Sequence, residues 1–283
     1  MIDINNIKHK RIFCFGCSFT AGFGTWADIL KRHFGDYPKE DFYIPKDQPQ
    51  MVYNFGKPGA GNYYIFNKIV ETSLEYNFTK DDLILIEWSG ILREDRFKDG
   101  KWYCKGNVTN NPYYSEELLK DWFLDIEGMI KRDYSYIRAI QQMLKADNLD
   151  YEMFSMNGVS RYDPANVEVK NRESEAINSL IELYKDTLDE LHPSMYKIIF
   201  GDETGYPHHR LVLGQKRIDP HPTPFEHLYY LEKVFNFKPS DELRTHTEIV
   251  TTDLDFPYLN SINLELDHQE FFMKLKSKYY DNT

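Results

Sequence analysis

A chain of 283 residues is long enough for one large domain with its own core, and 41% hydrophobic with 28% charged residues is a globular composition. Acidic residues outnumber basic ones by 45 to 34, and the resulting charge of −11 argues against nucleic-acid and anionic-membrane partners. The apolar run Leu83 to Ile86 is far too short to span a bilayer, and Met1 to Asn6 carries no signal-peptide pattern, so a cytoplasmic location is expected.

The first expected strand is Arg11 to Gly16, whose continuous apolar Ile12, Phe13, Cys14 and Phe15 suit a strand covered on both faces. A helix follows from Thr25 to Phe34, with Thr25 as N-cap and Asp28 three residues on. Met51 to Phe55 reads as the second strand, and Gly56 to Asn62 as a turn by composition. Asn62 is placed to cap a helix in which Ile65, Phe66, Ile69 and Val70 recur at helical spacing. The third strand, Asp82 to Ser89, is the most apolar stretch of the chain. Asp99 to Tyr114, rich in Gly, Asn and Tyr, reads as a lid-like loop. Helical sequence runs from about Glu116 to Lys145, with a candidate interruption at Gly128. Tyr151 to Met156 is the fourth expected strand, Glu173 to Leu191 an amphipathic helix, and Met195 to Phe200 the fifth strand. A loop with Asp219-Pro220-His221-Pro222 precedes a helix from about Pro224 to Phe235; the charged tail after Asn236 shows no strong apolar period.

Five strands alternating with helices predict an α/β fold: an open parallel sheet with helices on both faces. Ligands of such sheets sit beyond the carboxyl ends of the strands. The turn at Ser18, the turn at Gly56–Asn62 and the segment after Ser89 are therefore expected at one edge. Residues 1–235 are read as one domain with an insertion at about 99–115, and 236–283 as an extension packed on or beside it.

Ser18 lies immediately after a buried strand, in a tight turn with Gly16 two residues before it, a setting that lifts a nucleophile clear of the sheet. Asp219 and His221 each precede a proline, which biases both toward extended backbone, where side chains two apart share a side. A carboxylate so placed can orient an imidazole. Cys14 and Cys17 have redox-motif spacing, yet with Cys104 as the only other cysteine they read as packing residues. Arg93 and Arg96 are candidates for binding an anionic substrate group; a solvated helix start is the plainer account of that segment. His208-His209 with Asp202 and Glu203 form no ligand set at fixed helical spacing, and the Asp253/Asp255 pair reads as a surface loop.

Taken together, Gly16-Cys17-Ser18-Phe19-Thr20, Asn54-Phe55-Gly56-Lys57-Pro58-Gly59 and Asp219-Pro220-His221-Pro222, with His227 six residues on, resemble three blocks of the SGNH (GDSL-like) hydrolase superfamily. The resemblance spans roughly residues 11–235. It implies that this five-stranded sheet is the centre of a flavodoxin-like three-layer α/β/α fold, with Ser18 as nucleophile, His221 as general base and Asp219 as its orienter. It also implies that the Ser18 and Gly59 amides bind the oxyanion. The final block is Asp-x-His where the superfamily usually has Asp-x-x-His, and Glu87-Trp88-Ser89-Gly90 stands where an Asn lining the oxyanion hole is usual. Ser89 and Asn62 are the candidate replacements. The implied activity is ester hydrolysis without metal or organic cofactor, on a small acyl ester or an acylated glycan. The alternatives are acyl transfer from the same site, or a non-catalytic binding protein on this scaffold. Oligomeric state is not legible in the chain.

Overall fold

The structure, a computed structural model, describes residues 2–35, 51–108, 114–119, 125–159, 172–201, 211–212, 215–216, 221–252, 273, 276–277 and 280. Its centre is a parallel four-stranded sheet formed by β1 (Arg11–Phe15), β2 (Val52–Asn54), β3 (Asp82–Trp88) and the last strand, Asp150–Ser155, in the spatial order second, first, third, last. β1 lies between β2 and β3, with Ile12 opposite both Val52 and Leu83. Every residue of β3 is buried, as the unbroken apolar run requires of a strand with neighbours on both edges and cover on both faces. At the amino ends, Arg11 donates Nε to Asp82 Oδ1 and Nη2 to Asp82 Oδ2, each at 2.7 Å, pinning the register of β1 against β3.

The helices fall into two groups. α1 (Trp26–His33) packs against the late helix Pro224–Phe235, whereas α2 (Asn62–Tyr76) packs against the helix Ile126–Ala146. Right-handed crossovers put these groups on opposite faces, because the chain reverses direction across the sheet after β2. The aromatic packing agrees: Phe13 of β1 stacks with Tyr53 and Phe55 and meets Tyr76 of α2, while Phe154 meets Trp26, Tyr230 and Phe235.

Several expectations change. After β3 the chain forms an antiparallel hairpin, β4 (Arg93–Lys98) and β5 (Lys101–Asn107), where a charged helix start and a lid-like loop were expected. Its two-residue turn, Asp99-Gly100, has both φ angles positive, at 53° and 71°, the geometry that matches strand twist. Two helices follow, α3 (Glu116–Leu118) and α4 (Ile126–Ala146), the latter capped by Asp125 accepting from the Gly128 N–H; Gly128 thus belongs to the first turn and interrupts nothing. β6 (Asp150–Ser155) completes the sheet.

The amphipathic stretch after it is split near Tyr184 into α5 (Arg172–Leu183) and α6 (Lys185–Leu188). Met195–Phe200, expected as a fifth strand, is a helix, α7, with Ser194 accepting from the Lys197 N–H at one end and left-handed Gly201 closing the other. Among the described residues the sheet therefore has four strands. α8 (Pro224–Phe235) forms as expected, and α9 (Asp241–Thr252) adds a helix that the tail's sequence did not announce. α9 packs on α8 and α1, and Leu243 joins the main core with Phe237. No helix among the described residues is long and apolar enough to cross a membrane.

Candidate active site

Ser18 and His221, 203 residues apart in sequence, meet at the carboxyl edge of the sheet, with His221 Nε2 2.7 Å from Ser18 Oγ. Both are half-buried. With Nε2 as the unprotonated ring nitrogen, this distance lets the imidazole accept the serine hydroxyl proton, the arrangement that activates a weak oxygen nucleophile; the Cys17 sulfur lies 3.9 Å from the same hydroxyl oxygen.

The Ser18 turn is built by its own backbone and by a carboxylate beneath it. Thr20 and Ala21 donate their N–H groups to the Cys17 carbonyl at 3.1 and 2.9 Å, closing the chain into a helical turn straight after β1. Glu87, one residue from the end of β3 and fully buried, accepts from the Cys17 N–H at 2.9 Å and from the Thr20 hydroxyl at 3.0 Å, both through Oε2. Its Oε1 lies 3.5 Å from the Cys17 thiol, and Trp26 Nε1 donates to Thr20 Oγ1 at 3.1 Å. Gly16 is obligatory here, since a Cβ would lie 2.0 Å from Thr20 Oγ1 and 2.5 Å from Glu87 Oε2. Burial pushes the Glu87 carboxyl up to about 7, against the lowering effect of the Cys17 N–H and of Arg93. Burial, with Glu87 alongside, pushes the Cys17 thiol up to about 11, so it remains protonated. Cys14 and Cys17 are both buried and free, in keeping with a packing role.

His221 is held from the other side of the chain. Two residues on, Thr223 caps α8 in a reciprocal box: Thr223 Oγ1 accepts from the Glu226 N–H, and Glu226 Oε2 accepts from the Thr223 N–H at 2.7 Å. Pro224 opens the first turn, and the Phe225 N–H donates to Thr251 Oγ1 of α9 at 3.0 Å. The Phe19 ring, next to Ser18, packs 5.0 Å from the His221 ring, centroid to centroid. His227 is buried inside α8 with its ring edge-on to Phe19 at 6.2 Å, behind the site. Asp219, the expected orienter, lies outside the described residues, as do Asp202, Glu203, His208, His209, Asp253 and Asp255.

The second turn joins the first at the same edge. The Lys57 N–H donates to Gly16 O at 3.1 Å, and Asn54 Nδ2 donates to Thr20 O at 2.7 Å. Gly59 has φ +75°, and a Cβ there would come within 2.8 Å of the Cys104 carbonyl; its own carbonyl accepts from the Gly106 N–H of β5 at 2.9 Å. Among the described residues, neither the Ser18 nor the Gly59 amide N–H donates a hydrogen bond.

Three other candidates take different places. Asn62 caps no helix; Gly61 is the N-cap of α2 and makes no side-chain bond. Asn62 instead accepts from the Ser89 N–H at 2.7 Å and donates to Ser89 O at 3.1 Å and Asp133 Oδ2 at 2.8 Å. With both amide hydrogens committed, it is not an oxyanion donor. The Ser89 hydroxyl is fully buried and without a hydrogen-bond partner among the described residues, so it is not presented where an ester would sit. Arg93 is buried as well, donating Nη1 to Ala60 O at 2.9 Å and reaching Met156 Sδ with Nη2 at 3.4 Å. It braces the Gly59 turn from below, which leaves it no surface for substrate.

Asp95 of β4 does what Asn62 was expected to do. Fully buried, it accepts from the Gly61 N–H at 2.9 and 3.0 Å and from the Tyr64 N–H at 2.8 Å, so the hairpin caps α2 from outside. Asp133, beside Arg132 and Asn62, has its carboxyl pushed by burial up to about 6. Of these buried acids, Glu87 had a signal in the sequence: a charge set after the unbroken apolar run Leu83 to Ile86 must find partners. Asp95 had none, because its role depends on the hairpin. Among the described residues no group of three His, Cys, Asp or Glu side chains could hold a metal ion. No protein-family model matches the chain, and no curated protein matches it.

Proposed function

We propose that the chain is a serine-dependent ester hydrolase of SGNH-like architecture, with the described α/β core as part of a flavodoxin-like domain. The observation that carries the reading is the 2.7 Å contact between His221 Nε2 and Ser18 Oγ, made across 203 residues at the ligand-binding edge of the sheet. In the proposed reaction His221 takes the hydroxyl proton as Ser18 attacks the acyl carbon. The oxyanion forms against the Ser18 and Gly59 N–H groups, whose lack of internal partners suits that role. The imidazolium returns its proton to the departing alcohol, and a water activated by the same ring then releases the acyl group. Asp219 is the proposed orienter of His221. The substrate class is a small acyl ester or an acylated glycan, and neither a metal nor an organic cofactor enters the steps.

Hydrolysis of p-nitrophenyl acetate tests the reading. Wild type should turn the ester over, and Ser18→Ala and His221→Ala should each lose about a thousandfold or more. Turnover unaffected by either substitution would remove the site from the chemistry. A wild type with no turnover at all would favour a binding protein on the same scaffold.

A further inference from the structure

We propose that Glu87 is the positioning residue of the nucleophile turn, with one carboxylate oxygen holding Cys17 and Thr20 so that Ser18 Oγ meets His221. The carboxylate never touches the reacting atoms. It acts through Oε2, which gathers the Cys17 N–H at 2.9 Å and the Thr20 hydroxyl at 3.0 Å, the residues on either side of the Ser18-Phe19 pair. The Thr20 hydroxyl in turn accepts from Trp26 Nε1, tying the turn to α1 as well as to β3. Gly16 lets this approach occur, since any side chain there would fill the space that Glu87 and Thr20 share. A buried carboxylate is expensive to keep, and one that merely filled a core position would be better replaced by an apolar side chain. What this one provides is a rigid acceptor at the base of the turn.

The acceptor, rather than the charge, carries the positioning. Among the described residues, the hydrogen-bond partner of Oε1 is the Cys17 thiol, which can donate or accept. Glu87→Gln therefore keeps its carbonyl oxygen at the Oε2 place and should keep the turn. Glu87→Met, of similar shape but with no oxygen, should lose it.

The kinetic arm of the test rests on the ester-hydrolase reading; a second arm does not. In ¹⁵N spectra, the His221 Nε2 resonance, assigned by its loss in His221→Ala, reports the bond to Ser18. Glu87→Met should move that resonance toward its position in Ser18→Ala, whereas Glu87→Gln should leave it near wild type. With p-nitrophenyl acetate, Glu87→Met should lower kcat by about tenfold to a hundredfold at nearly unchanged KM, the signature of lost alignment rather than lost binding. Glu87→Gln should stay within about twofold of wild type, since its amide oxygen replaces the one that matters. Thr20→Val keeps the carboxylate, removes one donor and should shift the resonance in the same direction as Glu87→Met, which decides the matter if Glu87→Met does not fold. An unmoved His221 resonance in folded Glu87→Met and Thr20→Val would overturn the proposal, as would Glu87→Gln falling as far as Glu87→Met. If wild type hydrolyses nothing, the functional reading fails and the resonance still judges Glu87.

Discussion

Ser18 owes its place to the residues packed around and beneath it. The turn around it is closed by the Cys17 carbonyl, supported by Glu87 and bounded by Gly16. Asn62 is the other residue whose side chain is wholly spent on structure. It joins the carboxyl end of β3, through both backbone groups of Ser89, to Asp133 on α4. Asn62→Ala would leave a buried carboxylate and a buried peptide short of partners, and should lower unfolding free energy by about 2–3 kcal/mol. Urea denaturation measures this, with an unchanged slope expected if only the native state is affected. The Ser18 and His221 pairing was legible in the sequence because each stands in a local signature, a strand-to-turn serine and a proline-flanked histidine. The functions of Asn62 and Ser89 were not, because an oxyanion donor and a buried strut differ only in which neighbours take up their hydrogen bonds.

At the scale of elements, capping decides what the site receives. α8 begins two residues after His221, and its capping box fixes where the chain enters the helix. Thr223→Ala should cost about 1 kcal/mol of stability. Because the lost bonds lie next to His221, ester turnover should fall in the same variant; melting and turnover measured together test the link. Gly59 sits in left-handed backbone against the Cys104 carbonyl, so Gly59→Ala should destabilise by more than about 1 kcal/mol and displace the second turn. A Gly59→Ala protein with wild-type melting would show that the turn is not held as described. The parallel strands were readable as unbroken apolar runs, Ile12 to Phe15 and Leu83 to Ile86. Met195–Phe200 misled because Met-Tyr-Lys-Ile-Ile-Phe is too short for periodicity to separate strand from helix. The caps at Ser194 and Gly201 held the answer. The hairpin was likewise signalled by Asp99-Gly100, a two-residue turn pair lying between strands too polar to stand out.

Across the whole molecule, two buried acids link the site to stability. The Glu87 carboxyl is raised from 4.5 to about 7 and that of Asp133 from 3.8 to about 6. Between each pair of values the native state binds more protons than the unfolded chain, so stability falls as pH rises through that window. The contribution of Glu87 is complete below about 4.5 and lost above about 7. Arg93 from the hairpin favours its ionised form, the Cys17 thiol lies against the same carboxylate, and the Tyr230 hydroxyl, bonded to Pro193 O, is near enough to feel its charge. Wild type should therefore lose more melting temperature between pH 5 and pH 8 than Glu87→Gln does, the direction following from the linkage relation. Equal slopes in the two proteins would mean that Glu87 does not titrate in this range. The α/β class was legible at this scale from alternation alone. α9 was not, since its burial depends on α8 and α1 already being in place.

The central claim is that Ser18 is a nucleophile activated by His221. Its most direct test is reaction with a fluorophosphonate followed by mass spectrometry of the peptides. The account predicts a single adduct on Ser18, formed by wild type and absent from Ser18→Ala and His221→Ala. An adduct on another residue, or none on a protein whose Ser18 is accessible, would contradict it.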